Sequence, residues 1–171
     1  MHKPSNGVVR VLVCRVHSRL CGLPLDAVEE TLRPQPLRPL AAPVAHVAGL
    51  ARIRGDWLPV VDLAAALGMS AADPAAPVRR FVVLRVGERR VALAVGEVLG
   101  LHELPAADLR ALPPLLRDRE HGAIAALAER DDELVALLDQ GRLLPDGTLA
   151  ELALSTSAHG DAGPAASRTA P

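Results

Sequence analysis

Apolar positions along this chain come in short runs bounded by Gly, Pro, Asp and Ser, a pattern that predicts short strands. Two apolar runs between Val8 and Leu25 flank His17-Ser18. A two-residue hairpin centred there places Val16 opposite Arg19 and Cys14 opposite Cys21. Pro24 to Leu32 reads as a turn followed by a strand. Arg33 to Pro43 holds four prolines in eleven residues and is predicted to be an extended connection. The densest pattern is Gly49 to Leu63, where β-branched and large apolar residues stand on both sides of Arg54-Gly55-Asp56. Leu50–Ile53 and Trp57–Val61 are therefore two strands joined by that turn. Pro59 has no N–H for a ladder, so the second strand is expected at an edge or through a bulge. Asp62 is placed to cap a short helix over Leu63–Leu67, ended by Gly68.

The second half repeats the first. Sliding Arg10–Val28 by 70 positions lays it without a gap on Arg80–Val98, with identities at Arg10, Val13, Arg15, Val16, Arg19, Leu23 and Val28. The hairpin tip then falls on Gly87-Glu88, and Cys14 with Cys21 falls on Leu84 with Val91. Downstream, Trp57–Asp62 matches Leu134–Asp139, each an apolar strand closed by Asp. Gly122–Ala128 is the expected partner strand, joined to it by a turn over Glu129–Glu133. Two copies of a mainly β unit of about five short strands each account for most of the chain. Leu104–Leu116, with three prolines, reads as an irregular connector with one helical turn, and Leu143–Leu154 as a last turn or short helix. The expected organisation is a flexible leader at 1–7, a domain over 8–152 with repeat halves at about 10–68 and 80–144, and a disordered tail at 155–171. Within the domain, Ala71–Pro77 is the internal linker.

Composition narrows the functions. Half of the residues are hydrophobic, enough for a sizeable core, yet the chain has one Trp, one Phe and no Tyr, so Val, Leu, Ile and Ala must fill it. Base-stacking platforms are missing, and 19 basic against 20 acidic residues give a net charge of −1, with no field to attract phosphate. Both features count against a nucleic-acid-binding small barrel. No apolar run reaches the roughly 18 residues of a membrane span, and Arg10 and Arg15 break the N-terminal run as a secretory segment, so a cytoplasmic protein is expected.

Catalytic chemistry is not indicated. His2, His17, His46, His102, His121 and His159 are scattered, without metal-ligand spacing. Asp131-Asp132-Glu133 reads as a solvated acidic turn rather than a cation site. Cys14 and Cys21 read as two small core thiols rather than a disulfide or half a zinc site, because a cytosolic chain keeps thiols reduced and the repeat puts apolar residues at the same places. With no phosphate loop, nucleophile elbow or zincin motif, a hydrolase lacks its nucleophile and base, and neither a cofactor nor a metal is expected.

Gly49-x-x-x-x-Arg54-Gly55-x-x-x-Pro59-Val60-Val61-Asp62-Leu63 resembles the signature of the CheW-like domain family of bacterial chemotaxis. The resemblance extends to Gly22-Leu23-Pro24-Leu25, Val28-x-Glu30, Val91–Val98, Pro113-Pro114 and Leu134–Asp139, roughly residues 8–144. It implies two intertwined five-stranded SH3-like β barrels and a non-enzymatic signal-transduction adaptor. One implied partner is the cytoplasmic tip of a chemoreceptor (methyl-accepting chemotaxis protein), bound in a groove between the barrels. The other is the regulatory domain of a CheA-type histidine kinase, bound on the barrel faces in a receptor array. The family's receptor-groove positions fall on Val28, Gly49, Val98 and Leu101, and its sensitive Glu and Arg on Glu30 and Arg54. A charge between an apolar strand and a Gly turn must reach solvent or find a carboxylate, so Arg54 is expected to pair with Glu30. Arg52 replaces the usual neutral residue before the signature and Gly96 the common Asp. Such departures suit a scaffold of a separate chemosensory pathway, for example one controlling pilus-based motility, or a competitor that occupies kinase sites without coupling.

Overall fold

The computed structural model describes residues 7–69, 77–114 and 122–144. The leader apart from Gly7, the linker apart from Pro77, and the tail lie outside the described residues. In the first copy, β1 (Val8–Val16), β2 (Arg19–Pro24), β3 (Val28–Leu32), β4 (Leu37–Arg38), β5 (Val47–Ile53) and β6 (Asp56–Asp62) lead into α1 (Leu63–Ala66). In the second, β7 (Arg80–Val86), β8 (Arg89–Val95), β9 (Glu97–Pro105), β10 (Arg110–Ala111), β11 (Ile124–Arg130) and β12 (Glu133–Leu138) lead into α2 (Gln140–Leu143). A 3-10 turn at Ala106–Asp108 separates β9 from β10, as the connector reading anticipates. Among the described residues each copy thus has six strands, one more than expected, because the proline-rich connections each contribute a two-residue strand.

The copies exchange their first hairpins. One sheet runs β10-β11-β12-β2-β1-β9 and the other β3-β7-β8-β6-β5-β4. Every pairing in one sheet has its counterpart in the other: β2 lies parallel to β12 as β8 lies parallel to β6, and β1 borders β9 as β7 borders β3. The β1–β2 hairpin has the expected register, with Val16 opposite Arg19 and Cys14 opposite Cys21. Leu84 and Val91 face each other at the equivalent place. The expected turn at Glu129–Glu133 is tighter in the structure, with Asp131-Asp132 between paired Arg130 and Glu133.

Pro59 corrects one expectation. Its strand is interior, flanked by β8 and β5. Counting from the hairpin-closing pair Ile53 and Asp56, the alternation of antiparallel bonding makes Leu50 and Pro59 a non-hydrogen-bonded pair. The parallel ladder to β8 begins only at Val60, so no partner on either side requires the missing N–H. A bulge lies next to it, on β5 between Val47 and Gly49. The helix ends follow the sequence reading: the Asp62 carboxylate accepts from the Ala65 N–H at 3.2 Å, and Gly68 turns the chain with φ +67°. Asp139 caps α2 in the same manner, accepting from the Gly141 N–H at 2.9 Å.

Alternation along the strands divides the apolar residues into three clusters. Val11, Val13, Leu20, Val135 and Leu137 fill one sheet's own core, and Ile53, Leu58, Val60, Phe81 and Val83 the other's. A larger core is shared by both sheets and both helices, with Leu12, Leu23, Leu63, Leu84, Leu93 and Leu138 buried together. Each such leucine contributes about 2 kcal/mol of burial, so the shared core holds the two units as one body. Cys14 and Cys21 lie inside it as free thiols, both pushed up to about 12 by burial.

Candidate functional site: a charged cap on one sheet

The site begins with an irregularity in β3. Val28 pairs with Leu84 and Glu30 with Val83, which leaves Glu29 as the extra residue of a bulge. In a regular strand Glu29 and Glu30 would face opposite sides. The bulge brings both carboxylates to the same place, where both reach Arg90. Opposite them, Arg54 and Gly55 form a two-residue hairpin tip with φ +53° and +91°. Positive φ at both positions is the signature of a type I′ turn, whose twist suits the flanking strands.

From that tip Arg54 reaches back to Glu30. Its Nη2 donates to Oε2 at 2.8 Å and its Nε lies 3.2 Å from both carboxylate oxygens. The expected pair is therefore formed. The Arg54 side chain is 73% exposed while the Glu30 side chain is 22% exposed. This hydrogen bond from Arg54 is the largest cause holding Glu30 below the usual carboxylate range, with the Arg54 and Arg90 charges adding to it.

Around that pair lies a wider network that the sequence reading missed. Arg90 donates to Glu29 at 2.6 Å, approaches Asp56 at 3.3 Å and lies 3.8 Å from Glu30. Arg85 donates to the other oxygen of Glu29 at 2.6 Å. Glu29 is accordingly also held below the usual carboxylate range, chiefly by the Arg90 hydrogen bond. Strand parity explains the convergence. Phe81, Val83 and Arg85 alternate along β7, Arg90, Ala92 and Ala94 along β8, and Asp56, Leu58 and Val60 along β6. The apolar members of these series form the second sheet's own core. The charged members stand at the hairpin ends of the same strands and close that core with ion pairs. Two adjacent glutamates in a short strand, facing Arg-Arg across the sheet, were the available signal.

The remaining expected residues are held by other neighbours. Val28 and Val98 are half-buried and pack on the shared core from different sheets, occupying equivalent places opposite Leu84 and Cys14. Gly49 lies at the far end of β5 from Arg54, where a Cβ would sit 2.6 Å from the Arg38 carbonyl oxygen. Leu101 is on edge strand β9, opposite Leu12, and 62% exposed. The structure thus joins Glu30 and Arg54 directly, sets Val28 two residues away on the same strand, and gives Val98 and Val28 a common core.

The equivalent end of the other sheet is built differently. Leu20 stands for Arg90, Leu99-Gly100 for Glu29-Glu30, Asp131-Asp132 for Arg54-Gly55, and Arg15 for Arg85. In place of the network, the described residues show Arg15 approaching Glu133 at 3.8 Å and Arg130 approaching Asp131 at 3.4 Å. A cavity of about 540 Å³ opens beside this acidic hairpin, lined by apolar Leu20, Leu127 and Leu134 and by Asp132 and Glu133. At the place of Leu134 the other copy has Trp57, whose ring carries the Arg38 guanidinium 4.7 Å from its centroid.

Comparison with known proteins places this geometry. The profile of the CheW-like domain matches residues 10–147. The chain belongs to the CheW-like family. It is 28% identical over 142 residues to chemotaxis protein CheW of Rhizobium meliloti (strain 1021), covering 82% of this chain and 90% of that protein. It is 33% identical over 132 residues to protein FrzA of Myxococcus xanthus, covering 76% and 81%. Chemotaxis protein CheA of Klebsiella aerogenes is 32% identical over 95 residues, 56% of this chain but 14% of that longer protein. Among solved structures, scaffolding protein TtCheW from Thermoanaerobacter tengcongensis superposes with a TM-score of 0.73 at 17% identity, covering 86% and 95%. The fold is that of this CheW-like scaffold, mainly β and built as two SH3-like units, and the chain is a scaffold-type member of a chemotaxis family. No described helix is long and apolar enough to cross a membrane.

Proposed function

We propose that this chain is a non-enzymatic cytoplasmic adaptor that couples chemoreceptor tips to a CheA-type histidine kinase. The observation that carries this reading is the exposed Arg54 guanidinium, held at the rim of a sheet by a fork of hydrogen bonds to Glu30. An arginine fixed in this manner presents its remaining donors to a partner without ordering a flexible side chain on binding. Val28, on the strand of Glu30, and its counterpart Val98 supply half-buried apolar surface on the shared core, the surface proposed to receive the receptor's helical hairpin. Gly49 and Leu101 complete the proposed receptor surface. The kinase module docks sheet against sheet, and the similarity to CheA supports a partner built on the same plan.

The test is a pull-down of the purified chain with chemoreceptor tips and CheA-type regulatory domains from its own source, alongside Arg54→Glu and Val98→Glu. The unaltered chain is expected to capture both partners, and each variant, still folded, to capture the kinase domain but not the receptor tip. Binding to neither partner refutes the reading. The similarity to FrzA favours a second one, in which the same adaptor chemistry serves a separate chemosensory pathway. Receptor tips and kinases of that pathway would then be captured in preference to those of the swimming system. A chain that binds the kinase yet leaves its receptor-stimulated phosphorylation unchanged is a competitor rather than a coupler.

A further inference from the structure

We infer that Arg90 is the positioning and specificity-determining residue of the receptor surface, and that it confines that surface to one of the two pseudo-equivalent ends of the molecule. This rests on the reading of Arg54 and Glu30 given above. Arg90 is the one described side chain that reaches Glu29, Glu30 and Asp56 together, at 2.6, 3.8 and 3.3 Å. It comes from β8, in the second copy of the repeat, whereas all three carboxylates come from the first. Arg90 thereby fixes the bulged Glu29-Glu30 pair against the sheet, and Glu30 in turn fixes Arg54. It does not itself meet the partner: its side chain is 25% exposed, against 73% for Arg54 and 60% for Arg85. Three carboxylates gathered within a few ångströms would repel one another without a cation among them. A guanidinium suits this position because its planar fork offers donors in several directions at once.

The repeat supplies the internal control. Leu20 occupies the place of Arg90 in the other sheet, buried in that sheet's own core, so a leucine is compatible with this strand and fold. That end has neither the glutamate pair nor an arginine at its hairpin tip, but Leu99-Gly100 and Asp131-Asp132. Arg90, Glu29-Glu30 and Arg54 are thus present together or absent together at the two ends. The backbone keeps its two-fold pseudo-symmetry, and the side chains depart from it at the four positions that hold the charged surface, giving one receptor site per chain.

The experiment measures affinity of the full chain for a chemoreceptor tip by calorimetry, for Arg90→Leu, Arg54→Ala and the double variant, with melting temperature and kinase-domain binding recorded on each. Arg90→Lys serves as the second variant, since a single ammonium keeps the charge but cannot fork among three carboxylates. Arg90→Leu is expected to weaken receptor binding about tenfold, the effect of disorganising a charge-assisted hydrogen-bonding group, with kinase binding retained. Arg90→Lys should recover part of that affinity. The double variant should bind no worse than Arg54→Ala alone, because both changes disable the same group. Additive effects would show that Arg90 acts apart from Arg54 and overturn the inference. So would a folded Arg90→Leu with unchanged receptor affinity, or a lowered melting temperature as its single effect, while Arg54→Glu still abolishes binding. Unchanged affinity in both the Arg54 and Arg90 variants would instead overturn the functional reading on which the inference stands. A stoichiometry of two tips per chain would overturn the single-site claim.

Discussion

Gly49→Ala is the substitution whose cost the structure specifies most closely. Gly49 follows the β5 bulge with φ +153°, and a Cβ placed on it would meet the Arg38 carbonyl oxygen at 2.6 Å. The neighbour is backbone, so relief requires β4 to move rather than a side chain to rotate. Gly55 offers a matched control: its φ is +91°, but a Cβ there meets nothing within 4 Å. Gly55→Ala therefore carries the conformational penalty alone, about 1 kcal/mol. Gly49→Ala adds the displacement of the β4–β5 pairing, for a total of about 3 kcal/mol. In a chain of this size that corresponds to a fall in melting temperature of about 6–12 °C, against about 2–4 °C for Gly55→Ala. Urea unfolding followed by the fluorescence of Trp57 is the natural assay. Its ring lies under Arg38 of β4, so a displaced β4 should also alter emission in the folded state. Equal midpoints for the two variants, with native emission unchanged, would refute the close-approach argument and leave Gly49 as an ordinary strand residue.

Other outcomes follow from the cores and the charges. Leu93→Ala, in the shared core, should cost about 2–5 kcal/mol, and Leu101→Ala, largely exposed, less than about 0.5 kcal/mol; comparable urea midpoints for the two would contradict the burial assignment. Cys14 and Cys21, with thiols pushed up to about 12 by burial, should resist a thiol-specific chromogenic reagent until the chain unfolds. Labelling of either in the native state would count against that. Since both folded values lie above the unfolded one, thiolate formation should begin to favour unfolding as pH rises past the usual thiol range. Replacing the pair by Leu and Val, the residues at the equivalent positions, adds volume to a fully buried site and should cost about 1–3 kcal/mol. Glu29 and Glu30 titrate below their ordinary value of 4.5 in the folded chain, so their contribution to stability is complete above that pH and disappears as pH falls through the lowered values. Denaturation midpoints of wild type and of Glu29→Gln/Glu30→Gln should converge on acidification, and a constant gap would contradict the linkage.

The hairpins and the duplication were legible because alternation and turn residues are local, and a 70-residue shift preserves both at once. The Arg54–Glu30 pair was anticipated from two signals together: a charge beside apolar strands must reach solvent or find a carboxylate, and the family resemblance pointed to Glu30. Pro59 was misread because its propensity signals an edge, whereas the flanking β8 arrives from more than thirty residues downstream and its paired ladder begins only at the next residue, Val60. Arg90, Glu29 and Asp56 were missed for a related reason. One extra residue in β3 reverses the side on which the following side chains fall, and no periodicity in five residues reveals a bulge. The short β4 and β10 are likewise products of sheet edges, not of their own sequence.

The hairpin exchange bears on the order in which the protein can assemble as it is made. Every strand of one sheet, β3 to β8, comes from an unbroken segment, so that sheet can close once Val95 has emerged from the ribosome. The β1–β2 hairpin is synthesised before all of it, yet its partners β9 and β12 appear only after that sheet is complete, β12 last of the described strands. A lone hairpin is marginal in water, so this one must wait with Leu12, Cys14 and Leu23 uncovered. During that interval the completed sheet also exposes its half of the shared core. The arrangement that makes the two copies inseparable once folded therefore leaves apolar surface of the newborn chain uncovered until its last strands emerge, the condition under which chains aggregate.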